Sequence, residues 1–300
     1  MALAATAIRP SAARVWWSAV RPVTFAASVA PVLAGTAIGV HDGGTRWAAG
    51  IGALVVALGI QLGVNFANDY SDFVRGADAN RVGPLRAASS GIVDPRHVRW
   101  AAIAAFGVAG LAGLAVSVAV DVRLLVVGAA CLLAGWLYTG GPRPYGYLGL
   151  GELFCFVFFG LVATVGTVYV ETGHVTALAV LTGSAMGFLA TAILVLNNLR
   201  DIESDAAAGK RTLATRIGRE RTRVFLLLLV VATFAVPIVL LIAHLAPVAV
   251  LLVGLGIPIA AAPVRTAFAT TQPAPLVGAL KRMAAAQVTY ALLFALGVLM

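Results

Sequence analysis

Apolar residues run in blocks long enough to cross a bilayer, at about 23–40, 47–66, 100–120, 122–138, 148–170, 175–196, 224–243, 246–262 and 283–299. A helix of roughly 20 such residues spans the hydrocarbon core. The pattern predicts an all-α polytopic membrane protein of about nine transmembrane helices, with eight or ten as alternatives where neighbouring blocks nearly touch. The blocks are rich in Ala, Gly, Val and Leu, and small residues let helix backbones approach closely in lipid. Residues 1–300 read as a single integral-membrane domain, with 1–20 as an N-terminal interfacial segment. Trp16 and Trp17 beside Arg14 and Arg21 suit a headgroup anchor. The alanine-rich start lacks the compact apolar stretch of a cleaved signal peptide.

Composition sharpens this reading. Hydrophobic side chains make up 61% of the chain and charged ones 11%, against about half and about a quarter in a soluble domain. So few charges can neither coat a soluble core nor solvate a disordered chain. The net charge of +9 and the pI near 10.4 would, taken alone, suit a nucleic-acid binder. Their distribution points elsewhere. With the N-terminus in the cytoplasm and nine spans, the inner segments hold all of the 21 Lys and Arg except Arg46 and Arg123, and the C-terminus lies outside. That is the positive-inside pattern of a cell-membrane protein facing anionic lipid, and no nucleic acid is needed to account for it. Cys131, Cys155 and the four histidines show no metal-ligand spacing.

The acidic residues carry the chemical signal. Eight of the twelve Asp and Glu fall in two inner connections, about 67–99 and 197–222. The first contains NFANDYSDFVRGAD and the second LNNLRDIESDAAAGKRTL, each starting at the inner end of an apolar helix. If the helix continues, Asn65, Asp69 and Asp72 stack at i, i+4 and i+7, and Asn197, Asp201 and Asp205 at i, i+4 and i+8. Asn68 and Asn198 adjoin these faces. Stacked carboxylates repel one another and are costly near lipid, so such a face calls for cations. Mg²⁺ commonly bridges carboxylates to phosphates, and two opposed faces could hold roughly two or three Mg²⁺ ions and a diphosphate. Arg75, Arg81 and Arg86 near the first cluster, and Arg200, Lys210 and Arg211 near the second, would neutralise the remaining phosphate charge. Glu203 falls off the stacked face, Asp94 and Glu220 read as loop charges, and Asp78 is ambiguous.

A third polar stretch on the same side, YTGGPRPYGYLGLGE, joins two spans. Its simplest reading is a Gly/Pro turn with interfacial tyrosines. Its functional reading places Arg143 at the diphosphate and Tyr138 or Tyr145 beside a cationic intermediate. Glu152, just inside the next helix, needs a partner or a role, such as orienting an aromatic substrate's hydroxyl or a neighbouring Arg.

NDYSD followed by a basic segment, and NNLRDIESD followed by GKRTLATRIG, resemble the two aspartate-rich motifs of the UbiA superfamily of intramembrane prenyltransferases. Three stretches are most similar to the 1,4-dihydroxy-2-naphthoate polyprenyltransferases of menaquinone synthesis: NFANDYSDFVRGAD with RVGPLR, YTGGPRPYGYLGLGE with FVFFG, and LNNLRDIESDAAAGKRTLATRIG. The resemblance spans roughly 14–300. Ubiquinone-type relatives usually carry a further Asp four residues after the position of Asp72, where this chain has Gly76 and its Asp78 is displaced by two.

The resemblance implies nine helices around a central cavity open to the lipid. It implies a polyprenyl diphosphate and 1,4-dihydroxy-2-naphthoate as substrates, Mg²⁺ as cofactor, and loss of diphosphate and CO₂ to give a demethylmenaquinol. On that reading Asp69, Asp72, Asp201 and Asp205 hold the metal and, with Arg143 and Tyr138, carry the chemistry. Asn65, Asn68, Arg75, Arg81, Arg86, Tyr145, Glu152, Asn197, Asn198, Arg200, Lys210 and Arg211 bind substrate. Two alternatives stand beside it: a related transferase with another aromatic acceptor, and an ion-coupled secondary transporter. Transporters place their carboxylates near the midplane on broken helices, whereas these lie at one membrane face.

Overall fold

The structure, a computed structural model, describes residues 10–44, 46–76 and 85–300. Asp78 and Arg81 lie outside the described residues. The described chain is helical, without strands. Helix α1 (Ala12–Val20) and the 3₁₀ turn Pro22–Phe25 lead into α2 (Ala26–His41). Next come α3 (Trp47–Val74), α4 (Pro95–Ala119) and α5 (Leu124–Leu137). A single helical segment, Gly151–Thr172, comprises α6 (Gly151–Cys155), a π-helical stretch (Phe156–Val162) and α7 (Ala163–Thr172). Then follow α8 (Ala177–Arg200), the short α9 (Ile202–Ala207) and α10 (Leu213–Ile242). A 3₁₀ stretch, Val248–Gly256, enters α11 (Ile257–Ala269), and α12 (Pro273–Val298) closes the chain.

Among the described residues, seven helical segments are long and apolar enough to cross a membrane. The chain is thus a multi-pass membrane protein; length and composition alone mark seven spans among the described residues and leave the expected nine unconfirmed. The expected span at 122–138 is α5, whose 14 residues fall short of a full crossing. The last block extends back to Pro273, and Lys281 and Arg282 lower the hydropathy of that helix.

One core gathers α2, α7, α8, α10, α11 and α12 around Met186, Leu189, Leu196, Tyr290 and Phe294, all essentially inaccessible to solvent. Because lipid is as apolar as leucine, close backbone approach holds these helices together. A Cβ on Gly160 in the π-helical stretch would lie 2.3 Å from the Gly187 Cα of α8, so only glycine fits that crossing. A second cluster joins α1, α3, α4 and the segment around Ala87–Val93 through Val15, Ala19, Phe66 and Val98. Helix α1 is amphipathic, burying Val15 and Ala19 while exposing Trp17, and the Ser18 hydroxyl donates to the Leu85 carbonyl at 2.8 Å. Helix α5 packs on α3 and α4.

Candidate active site

Helix α3 does continue through its acidic motif to Val74. Asp72 is 2% exposed, and a bare carboxylate there would be prohibitive without compensation. Lys210 Nζ lies 2.6 Å from its Oδ1 and Arg86 Nη2 3.1 Å from its Oδ2. Tyr147 Oη donates to Oδ1 at 2.7 Å. Burial, and next the Asp72 charge, raise the Tyr147 phenol above its ordinary range, so it stays a donor. The Tyr147 ring sits beneath two cations, with Lys210 Nζ at 4.8 Å and Arg75 at 5.1 Å from its centroid.

The second motif is built differently. Helix α8 stops at Arg200, Asp201 leaves helical geometry, and α9 restarts at Ile202. The break does not separate Asp201 from Asp205, which line one polar pocket together with Ser204. Arg200 Nε pairs with Asp201 Oδ1 at 2.7 Å, and its Nη2 also reaches Asn197 Oδ1 at 2.9 Å. After α9, Gly209 takes a left-handed conformation (φ +72°), the usual glycine stop to a helix. The Lys210 N–H folds back to the Asp205 carbonyl at 2.8 Å. That reversal places the Lys210 ammonium between Asp72 and Asp205, 2.6 and 3.9 Å away. One cation thus joins the two acidic motifs.

Below the polar pocket lies an apolar cavity of about 270 Å³. Asn68, Tyr138 and Asn197 line both, so the two adjoin across a shared wall. On α3 the lining residues Ala53, Val56, Ala57, Ile60, Gln61, Val64, Asn65 and Asn68 recur at helical spacing, and Asp72 prolongs that stripe into the polar pocket. Segment Gly151–Thr172 contributes a parallel stripe that includes Phe154, Phe158, Phe159 and Gly166. The cavity separates α5 from that segment.

Of the expected residues, Asp72, Asp201, Asp205, Asn68, Asn197, Asn198, Arg86, Lys210 and Tyr138 all line the polar pocket. Tyr145 lines the apolar cavity, stacks on Phe154 at 4.0 Å and donates to the Ala134 carbonyl at 2.8 Å. Arg200 stands behind the pocket through its pair with Asp201. Asp69 is fully buried outside both linings, its Oδ2 accepting from the Ala87 N–H at 2.9 Å. Asn65 lines the apolar cavity, its amide donating to the Val20 carbonyl and to Thr24 at 3.0 Å each. Arg75 ties α3 to the α5–α6 connection through the Thr139 and Gly141 carbonyls at 2.7 and 2.9 Å. Asn198 Nδ2 donates to Glu152 Oε1 at 2.9 Å, and Glu152 itself is buried outside both linings. Arg143 and Arg211 are exposed and line neither cavity. Tyr147, Thr139, Ser204 and Thr212 also line the polar pocket, and Arg21 and Gln61 the apolar one; none of these six was expected from the sequence as a site residue.

Among the described residues, no group of three or more His, Cys, Asp or Glu side chains gathers closely enough to hold a metal ion by itself. The donors suit a cation shared with a ligand. Hard carboxylate oxygens from both motifs face one pocket, an ammonium already stands between two of them, and a phosphate could supply the remaining oxygens.

The UbiA prenyltransferase family matches residues 28–276. The chain belongs to that family. It is 46% identical over 208 residues to the 1,4-dihydroxy-2-naphthoate octaprenyltransferase of Mycobacterium tuberculosis, covering 69% of this chain and 71% of that one. It is 44% identical over 228 residues to the protein of the same name from Mycobacterium leprae, covering 76% and 78%. Among solved structures, a UbiA homolog from Aeropyrum pernix K1 superposes with a TM-score of 0.66 at 14% identity, covering 95% of this chain and 98% of that one. A UbiA homolog from Archaeoglobus fulgidus bound to GPP and Mg²⁺ gives 0.62 at 14%, covering 93% and 99%. The UbiA fold thus extends over nearly the whole chain, and both acidic motifs and the tyrosine-bearing connection lie within the family match.

Proposed function

We propose that the protein transfers a polyprenyl group from polyprenyl diphosphate to 1,4-dihydroxy-2-naphthoate, releasing diphosphate and CO₂ and yielding the demethylmenaquinol of menaquinone biosynthesis. It would act as one catalytic domain in the cell membrane, with its N-terminus and site loops in the cytoplasm and its C-terminus outside. The observation that carries this reading is the junction at Asn68, Tyr138 and Asn197, where an apolar cavity adjoins a pocket holding carboxylates and cations from both motifs. A prenyl diphosphate has that same division between tail and headgroup. The mycobacterial relatives' names supply the acceptor.

In the reaction the allylic C–O bond breaks with its electron pair leaving on the diphosphate. A ring carbon of the acceptor forms the new C–C bond, and the carboxylate departs as CO₂. Asp72, Asp201 and Asp205 would hold Mg²⁺, which when bound supplies charge stabilisation to the leaving group. Lys210 and Arg86 bring fixed positive charge to the same place. Tyr138 presents an aromatic face at the junction, where allylic cationic character develops. Asp69 fixes the segment carrying Arg86 through the Ala87 N–H. The apolar walls keep water from the cationic carbon.

The test is an acceptor screen on the full chain in lipid nanodiscs, using radiolabelled polyprenyl diphosphate with and without EDTA. Prenylated, decarboxylated product from dihydroxynaphthoate, lost with EDTA and restored by Mg²⁺, is expected. Turnover with a different aromatic acceptor in its place would move the protein to another branch of the family. Substrate flux into proteoliposomes without diphosphate release would favour transport.

A further inference from the structure

Glycines that line the apolar cavity differ in what a side chain would meet there. A Cβ on Gly135 would lie 2.9 Å from Phe106 Cε1, one on Gly151 3.4 Å from Tyr138 Cε2, and one on Gly113 3.7 Å from Val56 Cγ2. At Gly135 close packing excludes a side chain, while at Gly151 and Gly113 a methyl would rest in ordinary contact with its neighbour. Gly128 of α5 and Gly166 of α7 also line the cavity, yet a Cβ on either would meet nothing within 4 Å. Close helix approach therefore explains neither. What their missing side chains leave is room in the cavity itself.

Their depth gives that room a meaning. Gly128 lies ten residues before Tyr138, about 15 Å along the helix at 1.5 Å per residue. Gly166 lies fifteen residues after Gly151, about 22 Å by the same rise. Both are far from the polar pocket, on the two walls that the cavity holds apart. A substrate headgroup in the polar pocket would place only the distal part of an apolar tail between them.

We propose that Gly128 and Gly166 set the length of prenyl chain the enzyme accepts, by leaving the deep end of the cavity open to the distal isoprene units. The inference rests on the prenyltransferase reading and adds the residues that determine donor specificity. A bulky side chain at either position starts from a Cβ in open space and projects into the tail's path. It penalises long donors and spares those whose tails end before it.

The test compares kcat/KM for geranyl, geranylgeranyl and octaprenyl diphosphates in nanodiscs for wild type, Gly166→Phe and Gly128→Leu, with size-exclusion profiles and melting curves as a check on folding. The expected result is a fall of threefold or more in the octaprenyl-to-geranyl ratio for each variant, larger for the bulkier Phe. Gly166→Ala adds a single methyl and should move the ratio least; Gly166→Leu, held to the same threefold criterion, substitutes for Gly166→Phe if that variant does not fold. A ratio that moves by less than threefold in folded Gly166→Phe and Gly128→Leu, or a loss equal for all donors, overturns the proposal. Should wild type transfer no prenyl group from any donor, the functional reading itself fails, and the two failures are thereby told apart.

Discussion

Replacing Asp72 by Asn keeps the shape of the side chain and an acceptor for Tyr147, but removes the charge that holds Lys210 and Arg86. The pairs are 2.6 and 3.1 Å long, and the side chains are 2%, 11% and 8% exposed for Asp72, Lys210 and Arg86. Removing one member of such a buried pair costs about 3–5 kcal/mol, because the other charge is left uncompensated. Lys210 keeps Asp205 at 3.9 Å, which puts the expected cost at the lower end, about 3 kcal/mol. If that loss appears in transition-state stabilisation, kcat/KM falls on the order of 100-fold, since each 1.36 kcal/mol is a factor of ten. The assay is prenyl transfer to dihydroxynaphthoate by the variant in nanodiscs, with its melting temperature measured alongside. A folded Asp72→Asn enzyme that loses less than tenfold in kcat/KM would refute the placement of Asp72 at the reacting diphosphate.

The other predictions follow from the same geometry. Lys210→Met removes the ammonium standing between Asp72 and Asp205, so Mn²⁺ binding without substrate should tighten severalfold by titration while kcat/KM falls; weaker Mn²⁺ binding would mean the ammonium does not compete with the metal. Arg143→Ala should leave KM for the prenyl diphosphate within twofold, because Arg143 is exposed and lines neither cavity; a tenfold rise would return it to the site. Gly160→Leu puts a branched side chain where a Cβ already falls 2.3 Å from Gly187, so it should cost about 1–3 kcal/mol as overpacking, read as a lowered melting temperature in detergent.

Reading the sequence located the apolar blocks well, because hydropathy reports directly on lipid burial. Their number is less legible, because α5 has only 14 residues and Lys281 and Arg282 dilute the apolar character of α12. The i, i+4, i+7 spacing correctly put Asp69 and Asp72 near one face of α3, but spacing alone does not say what packs there. The segment after Leu85 does, and its Ala87 N–H takes up Asp69 while Asp72 turns to the pocket. The tyrosines show the same limit. A 3₁₀ turn covers Tyr145–Leu148, and with three residues per turn it sends Tyr145 towards Ala134 and Tyr147 towards Asp72. A count of aromatic residues carries no such information. Arg143 was read from its charge, and its exposure depends on how the whole connection folds.

The stripe on α3 joins these observations physically. Within one helix, the broad face that lines both cavities changes from Ala53, Val56 and Ile60 at one end to Asn65, Asn68 and Asp72 at the other. Polarity is thus greater towards the Asp72 end of a single wall. A buried carboxylate in a chain with 11% charged residues is tolerable only where cations converge, and Lys210, Arg86 and the Tyr147 hydroxyl arrive from three other parts of the chain to meet Asp72. The apolar end of the same wall needs no such convergence, so that helix and its partners can stand apart and leave a cavity. On the proposed function, selectivity for an amphipathic diphosphate would need both ends together: a charged pocket without the apolar stripe would bind any phosphate, and the stripe without the pocket would bind any lipid tail.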